Sequence, residues 1–367
     1  MKIAILSTHL SGTGHFLRSL ALARAAGRDG HQVLLINGGR PLAHIDSSDV
    51  EISQLPPLTV RDLDFKTLRN VKGSPADTGY LAARSAQIRA DLAAFRPDCL
   101  VTETYPFGRR MLSAEFEAAI QAAAVPAIAS IRDIPEPKPA RLEETASRLR
   151  TSYAGVIVHG DRAVLSLDES WPMPEELQSK IHHSGYLSTA QPGTGARGGT
   201  ILVSVGGGDL GRRLLDLAAR AAGKTPEPWH LLIGGPDAVD VAQQIRRHAP
   251  GLKAEPARRD YPNLLAGAAC SVSLAGYNTV LDLAQCATPA VLVPSEAGGE
   301  REQSIRAARF AQFDGIETAR LADLTPANLA ETARRLASGP PRGPLPLDLD
   351  DGAAAIAALT RFAGAAR

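Results

Sequence analysis

Two series of short aliphatic runs, each run closed by glycine or polar residues and followed by a helical stretch, leave this chain few folds to adopt. The first series is KIAILS, QVLLING, PDCLVTE, PAIASIRD and AGVIVHG, with a helical pattern from Gly14 to Arg28 between the first two. Strands spaced by helices in this way pair in parallel, with helices on both faces of the sheet. STAQPGTGARGGT, residues 188–200, then breaks the periodicity with glycine, proline and small polar residues, as a linker does. Past it a second series starts afresh: TILVSVGGG, WHLLIGGPD, ACSVSLAG and PAVLVPS. The predicted fold class is α/β, two Rossmann-like doubly wound domains facing across a cleft. One spans 1–187 and the other 201–346. An alanine-rich helical tail at 347–367, set off by Pro340, Pro341, Pro344 and Pro346, is expected to cross back to the first domain. Ligands of such sheets bind beyond the carboxyl ends of the strands.

A chain of 367 residues is too long for one ordinary core and fits two domains. Its formal net charge of +1 gives no bulk argument for nucleic acid or an anionic membrane as partner. Cys99, Cys270 and Cys286 are far apart, without a C-x-x-C pair. Cys99 and Cys270 sit in apolar runs, which predicts buried, reduced thiols. The start MKIAILSTHL turns polar too soon for a signal peptide, and no apolar run approaches the roughly 20 residues that span a bilayer. A cytoplasmic protein is expected, with peripheral membrane contact left open. There is no His/Cys ligand cluster.

Three glycine segments follow strands. Ser11-Gly12-Thr13-Gly14-His15 opens the first helix, where backbone N–H groups and the helix end favour an anion. It is not a dinucleotide fingerprint. The third glycine position is Leu17, and the second strand ends in Asn37-Gly38-Gly39 with no acid for a ribose. No G-x-x-x-x-G-K-[ST] run is present. Gly206, Gly207 and Gly208 hold the same place in the second domain, and a triplet that costs so much backbone entropy reads as close approach to a diphosphate, with a plain turn as the alternative. In the third segment the strand Ser271–Leu274 turns at Ala275-Gly276 into a helix carrying Tyr277, Asn278, Thr279 and Asp282. The polar side chains suit phosphates at a helix start and a ribose along it; they also suit a plain cap with a solvated aspartate.

SLAGYNTVLDLAQCATPAVLVPSEAGGEREQSIRAARF resembles the carboxyl-domain signature of GT-B glycosyltransferases. It is nearest to MurG-type enzymes of the family 28 kind and to a related group of predicted bacterial glycosyltransferases. The resemblance implies a nucleoside diphosphate sugar as donor substrate, with UDP the expected nucleotide and no other cofactor. It puts the diphosphate at Gly276, Tyr277, Asn278 and Thr279, the ribose at Asp282, and the sugar at the loop holding Glu300, Arg301, Glu302 and Gln303. MurG-type enzymes more usually carry Glu where Asp282 stands. In the amino half, Gly12-Thr13-Gly14-His15 resembles the family's first glycine loop, with Arg18 following as in the predicted group. TETYPFGRR, SIRDI, VIVHGD and HSGYL are similar to that group as well.

The implied reaction is an inverting, metal-independent transfer of a sugar to an acceptor, small or lipid-linked. Amide dipoles take the developing phosphate charge and a base takes the acceptor proton. His15 is the first candidate base, although an imidazole there also suits a hydrogen bond to the sugar or phosphate. Glu103 and Asp133, just past strand ends, are the second candidates, with salt bridges to Arg109 or Arg132 as their structural alternative. Arg18, Tyr105, Phe107, Arg109 and Arg132 form the candidate acceptor side, set against the reading of residues 105–111 as a packed turn. His182 and His183 lack a partner at ligand spacing and read as surface. His9, His44 and His159 carry no functional signal. A nucleotide-sugar hydrolase or 2-epimerase of the same fold is the alternative enzyme, and a non-catalytic nucleotide-sugar-binding protein the alternative outside enzymes.

Overall fold

The computed structural model describes residues 1–10, 12–42, 45–61, 64–188, 192–206, 209–235, 237–343 and 345–365. The chain divides into two compact units, Met1–Thr189 with Leu347–Arg367, and Ala190–Pro346.

In the first unit, β1 (Lys2–Ser7), β2 (Gln32–Asn37) and β3 (Glu51–Gln54) are joined through α1 (Gly14–Arg28) and a loop. A small antiparallel hairpin follows, β4 (Thr59–Arg61) and β5 (Asp64–Arg69). Then come α2 (Thr78–Phe95), β6 (Cys99–Glu103), α3 (Ser113–Ala123), β7 (Ala127–Arg132), α4 (Leu142–Ser152), β8 (Gly155–His159), β9 (Ile181–His183) and β10 (Tyr186–Leu187). Seven strands make one parallel sheet in the order β3-β2-β1-β6-β7-β8-β9. Successive residues point to opposite faces, and both faces are covered. Ala4 and Leu6 pack with Ile88 and Leu92 of α2 and Phe116 of α3. Ile3 and Ile5 pack with Phe16 and Leu20 of α1. That is why these strands read as unbroken apolar runs.

The second unit repeats the plan. Its elements are β11 (Ile201–Val205), α5 (Asp209–Ala222), β12 (Trp229–Ile233), α6 (Ala238–His248), β13 (Lys253–Pro256), α7 (Tyr261–Ala266) and β14 (Cys270–Leu274). They continue as α8 (Tyr277–Ala284), β15 (Ala290–Val293), α9 (Glu302–Phe310), β16 (Ile316–Thr318) and α10 (Pro326–Ser338). The parallel order is β13-β12-β11-β14-β15-β16. Val203, Leu231, Val272 and Val291 meet Leu214 and Ala218 of α5 and Leu329 and Ala333 of α10. The doubly wound α/β class is as expected for both units.

Residues 192–200 are held against the second unit. Thr194 N donates to Asn263 Oδ1 at 3.1 Å, and the Arg197 guanidinium donates to the carbonyls of Ala269, Ala337 and Gly339. A Cβ on Gly193 would lie 2.0 Å from the Pro262 carbonyl oxygen, so glycine serves close backbone approach there. After the second unit the chain re-enters the first. β17 (Leu349–Asp350) pairs with β10, and α11 (Ala353–Ala365) lays Ile356, Leu359 and Phe362 into the core beside α1. Gly352, at φ 111°, turns this segment against Ala25.

The edge strands β3, β9, β13 and β16 have no counterpart in the sequence reading, because each is short and polar along its length. His182 and His183 lie in one of them and are only partly exposed; His183 Nε2 accepts from Leu167 N at 3.4 Å. All three cysteines are free, with Cys99 and Cys270 buried as expected. Among the described residues no helix is long and apolar enough to cross a membrane.

Candidate active site

Each sheet reverses strand order once, and at each reversal the loops leaving neighbouring strands splay apart and leave a crevice. In the first unit the reversal lies between β1 and β6. The loop after β1 turns at Gly12, φ 66°, and enters α1 at Gly14. Thr13 stands at the N-cap without a capping side-chain bond. One residue into the helix is His15, and one turn on is Arg18; β6 ends on Glu103.

These three side chains meet. His15 Nδ1 lies 2.9 and 3.0 Å from the two Glu103 oxygens. Arg18 donates to Glu103 Oε1, and the Thr104 hydroxyl donates to the same oxygen at 2.8 Å. Glu103 is 1% exposed and the His15 side chain 17%. Burial opposes ionisation of Glu103, yet His15 and Arg18 hold its carboxyl well below the usual carboxylate range. Burial pulls His15 down to about 3; the attraction of Glu103 is outweighed, with Arg109 and Arg18 adding repulsion. An ionised carboxylate only accepts, so Nδ1 carries the proton of the neutral ring. Nε2 keeps its lone pair and has no hydrogen-bond partner among the described residues.

Glu103 therefore bridges Arg18 and His15 instead of the expected Arg109 or Arg132. Asp133 is fully buried beneath Gly160, whose added Cβ would lie 2.8 Å from it, and its Oδ1 accepts from Ile134 N at 2.8 Å. That burial leaves it no face toward an acceptor hydroxyl. Tyr105 and Phe107 are corrected from acceptor contacts to core residues. Tyr105 stacks on Phe116 at 4.8 Å and Phe107 meets the edge of Trp171 at 5.4 Å. Their aromatic area is spent inside the unit. Arg109 and Arg132 stay partly exposed. His159 is structural, between Ser130 Oγ at 2.9 Å and Ser184 Oγ at 3.2 Å. His44 lies outside the described residues. Thr104, unremarked in the sequence, had a single available signal, its place next to a strand-ending glutamate.

In the second unit the reversal lies between β11 and β14. Gly206 follows β11; Gly207 and Gly208 lie outside the described residues. After β14, Gly276 is the N-cap of α8 with an extended backbone, φ −70°, and no side chain caps the helix. Neither its backbone conformation nor packing within the unit demands glycine, since the atom nearest an added Cβ is Thr279 Oγ1 at 3.7 Å. The first N–H groups of α8 thus face outward uncapped, beside Asn278 and Thr279, whose side chains make no hydrogen bond among the described residues. Such a helix start favours an anion. One turn on, Asp282 lacks a side-chain partner among the described residues, and burial pushes its carboxyl up to about 7. Tyr261, bonded to Ser204 Oγ at 3.1 Å, lies within range of that charge; burial, then Asp282, raises its phenol.

The loop after β15 divides. Gln303 Oε1 accepts from Ser295 N at 3.0 Å, which fixes the loop on α9, while Glu300 and Arg301 remain at the surface. Glu302 is corrected to a structural role. It is buried and pairs with Arg306 at 2.8 Å, and Arg306, itself fully buried, donates to the Ala275 carbonyl at 3.0 Å. The pair thereby anchors the turn that begins α8.

Two such sheets, each with a polar site at its reversal, make the GT-B fold. VinC, a glycosyltransferase solved in complex with dTDP, has this fold with a TM-score of 0.62 at 15% identity, over 99% of this chain and 95% of that one. MurG of Acinetobacter baumannii gives 0.57 at 15% identity over 92% of each chain. Residues 201–348 match the glycosyltransferase family 28 C-terminal domain, which is the second unit and the start of the returning segment. A curated relative is the UDP-N-acetylglucosamine–N-acetylmuramyl-(pentapeptide) pyrophosphoryl-undecaprenol N-acetylglucosamine transferase of Rhodopseudomonas palustris strain BisA53. It is 30% identical over 151 residues, 39% of this chain, and the chain spans 40% of its length. The chain thus has the GT-B fold, and most of its second unit is similar to the glycosyltransferase family 28 C-terminal domain.

Proposed function

We propose that the chain is a glycosyltransferase that moves a sugar from a nucleoside diphosphate sugar, UDP-linked, to an acceptor hydroxyl with inversion and without a metal. The observation that carries this reading is the His15–Glu103 pair. A neutral imidazole, oriented through Nδ1 by an ionised carboxylate, offers Nε2 as general base to a hydroxyl. Glu103 and Arg18 are then positioning residues, because the Glu103 oxygens are engaged by His15, Arg18 and Thr104 and a guanidinium has no lone pair to take the proton.

The donor belongs to the second unit. The uncapped start of α8 with Asn278 and Thr279, and the glycine loop at Gly206, suit a diphosphate, and Asp282 suits the ribose hydroxyls. As the β-phosphate leaves, the open N–H groups of α8 offset its growing charge. The acceptor is a small or a lipid-linked alcohol, as the pyrophosphoryl-undecaprenol substrate in the relative's name suggests. Free, buried thiols at Cys99 and Cys270 support a cytoplasmic setting.

The test is a thermal-shift screen with UDP-, dTDP- and GDP-sugars, followed by turnover. A donor binding the native state raises the melting temperature by several degrees. His15→Asn is expected to keep that shift and lose turnover. No response to any donor refutes the reading, and donor breakdown at full rate without an acceptor makes the protein a hydrolase.

A further inference from the structure

Arg18, Arg84, Arg306 and Arg342 are buried in this chain, and each has its guanidinium engaged, Arg18 on Glu103. Arg84 forks onto Glu115 at 2.8 Å through two nitrogens and also donates to the carbonyls of Gly38 and Pro56. Arg306 bonds Glu302 and the Ala275 carbonyl, and Arg342 bonds the carbonyls of Leu283, Thr288 and Gly343. Arg109 differs. Its Nε is buried without a hydrogen-bond partner, and its guanidinium makes no ion pair or hydrogen bond among the described residues. Burial and the charges of Arg132 and Arg18 bring it down to about 10, although Glu103 attracts it from beyond bonding distance. An uncompensated, half-desolvated cation is costly to fold around.

The fold nevertheless aims it. The loop from Thr104 to Arg109 is bracketed by two non-glycine residues in the left-handed region, φ 67° and 60°. Such conformations persist where the surroundings over-determine them. Here the aromatic rings of Tyr105 and Phe107 pin the loop into the core, and the Thr102 hydroxyl donates to the Tyr105 carbonyl at 2.8 Å. The arginine so presented stands within electrostatic range of both His15 and His9, at the same reversal of the sheet as the proposed base. Arg109 lies outside the matched family domain.

We propose that Arg109 receives an oxyanion of the acceptor, a phosphate monoester or a carboxylate, beside the His15 base. A planar guanidinium with its N–H groups unspent matches either group through two parallel bonds. The anion supplies the countercharge that the protein withholds, so an acceptor that carries one is selected over its neutral analogue. The word acceptor rests on the glycosyl-transfer reading; the anion site stands on the first unit alone.

Three probes share one carbon skeleton: glycerol, glycerol 3-phosphate and glycerate. Calorimetric titration of the full chain at fixed ionic strength is expected to show one of the two anions binding at least tenfold more tightly than glycerol, and which one it is names the source of the charge. The same anion is expected to shift the His15 ring resonances. Arg109→Asn, whose side chain tolerates the left-handed backbone, should abolish the preference, and Arg109→Lys should keep part of it. Equal binding of all three probes, or a preference that survives Arg109→Asn, overturns the proposal. So does a tenfold loss of UDP affinity in Arg109→Asn with anion binding unchanged, which assigns the arginine to the donor. Should the asparagine variant fail to fold, the Lys variant and the His15 shift decide. Anion binding without any response to nucleotide sugars refutes the transfer reading and leaves the anion site standing.

Discussion

Replacing Asp282 by asparagine is expected to stabilise the second unit, and to do so more at high pH than at low. Burial raises this carboxyl from 3.8 to about 7. The native state therefore holds its proton more tightly than the unfolded chain does. Stability from this group is complete below the unfolded value, falls as pH rises through the interval, and is flat above about 7. At about 1.4 kcal/mol per decade of proton affinity the ceiling is about 4 kcal/mol. The carboxylate keeps a path to water, which screens it, so a net effect of about 1–2 kcal/mol is expected at pH 8.5 and less than half of that at pH 5. Trp229 lies in β12 and reports on this unit, and a Trp171→Phe background silences the other tryptophan. Guanidinium melts of parent and Asp282→Asn at both pH values measure the difference. An Asn variant equally stabilised at the two pH values, or destabilised at pH 8.5, refutes the electrostatic account of this site. The same charge that weakens the empty fold is what a ribose would find unbonded.

Other outcomes follow from the same geometry. His15→Asn should lower kcat by about 10²- to 10⁴-fold with little change in donor affinity, measured by initial rates beside a donor titration. Glu103→Gln keeps an acceptor for Arg18 but removes the charge that orients the ring, and kcat should fall at least tenfold while circular dichroism stays native. Arg306→Met leaves Glu302 buried without its cation and frees the Ala275 carbonyl; a loss of about 3–5 kcal/mol in denaturant melts is expected, together with weakened donor binding. Gly352→Ala forces a Cβ to 2.1 Å from the Ala25 Cβ at a left-handed φ, and should lower the melting temperature of the first unit by several degrees, which calorimetry resolves.

The sequence was most legible where strands are buried on both faces. KIAILS, AGVIVHG, TILVSV and PAVLV announce central strands because nearly every position along them is buried. EISQ, IHH, KAEP and IET are edge strands, half solvated, and carry no periodic signal that separates them from loops. The site divided in a similar way. Gly12, His15 and the start of α8 follow strands directly, so chain position alone put them at the crevices. The closure of His15 on Glu103 joins residues 88 apart in sequence, and no spacing rule reaches that far. Tyr105 and Phe107 misled because an aromatic pair beside arginines looks the same whether the rings face a ligand or a core. Glu302 misled because its partner, one turn along α9, is an ordinary helix-surface spacing that happens to be buried.

The return of the chain to its first unit sets an order of folding during synthesis. β10 waits for β17, and the α1 face of the first sheet waits for Ile356, Leu359 and Phe362, all of which leave the ribosome after residues 190–346. At about 5–20 residues per second that interval lasts roughly ten to thirty seconds. The second unit, continuous in sequence, can complete its core as soon as it emerges, while the first stands with one apolar face uncovered. The amino-terminal unit thus finishes last, and in that interval the exposed face of its sheet is where a chaperone would bind or aggregation begin.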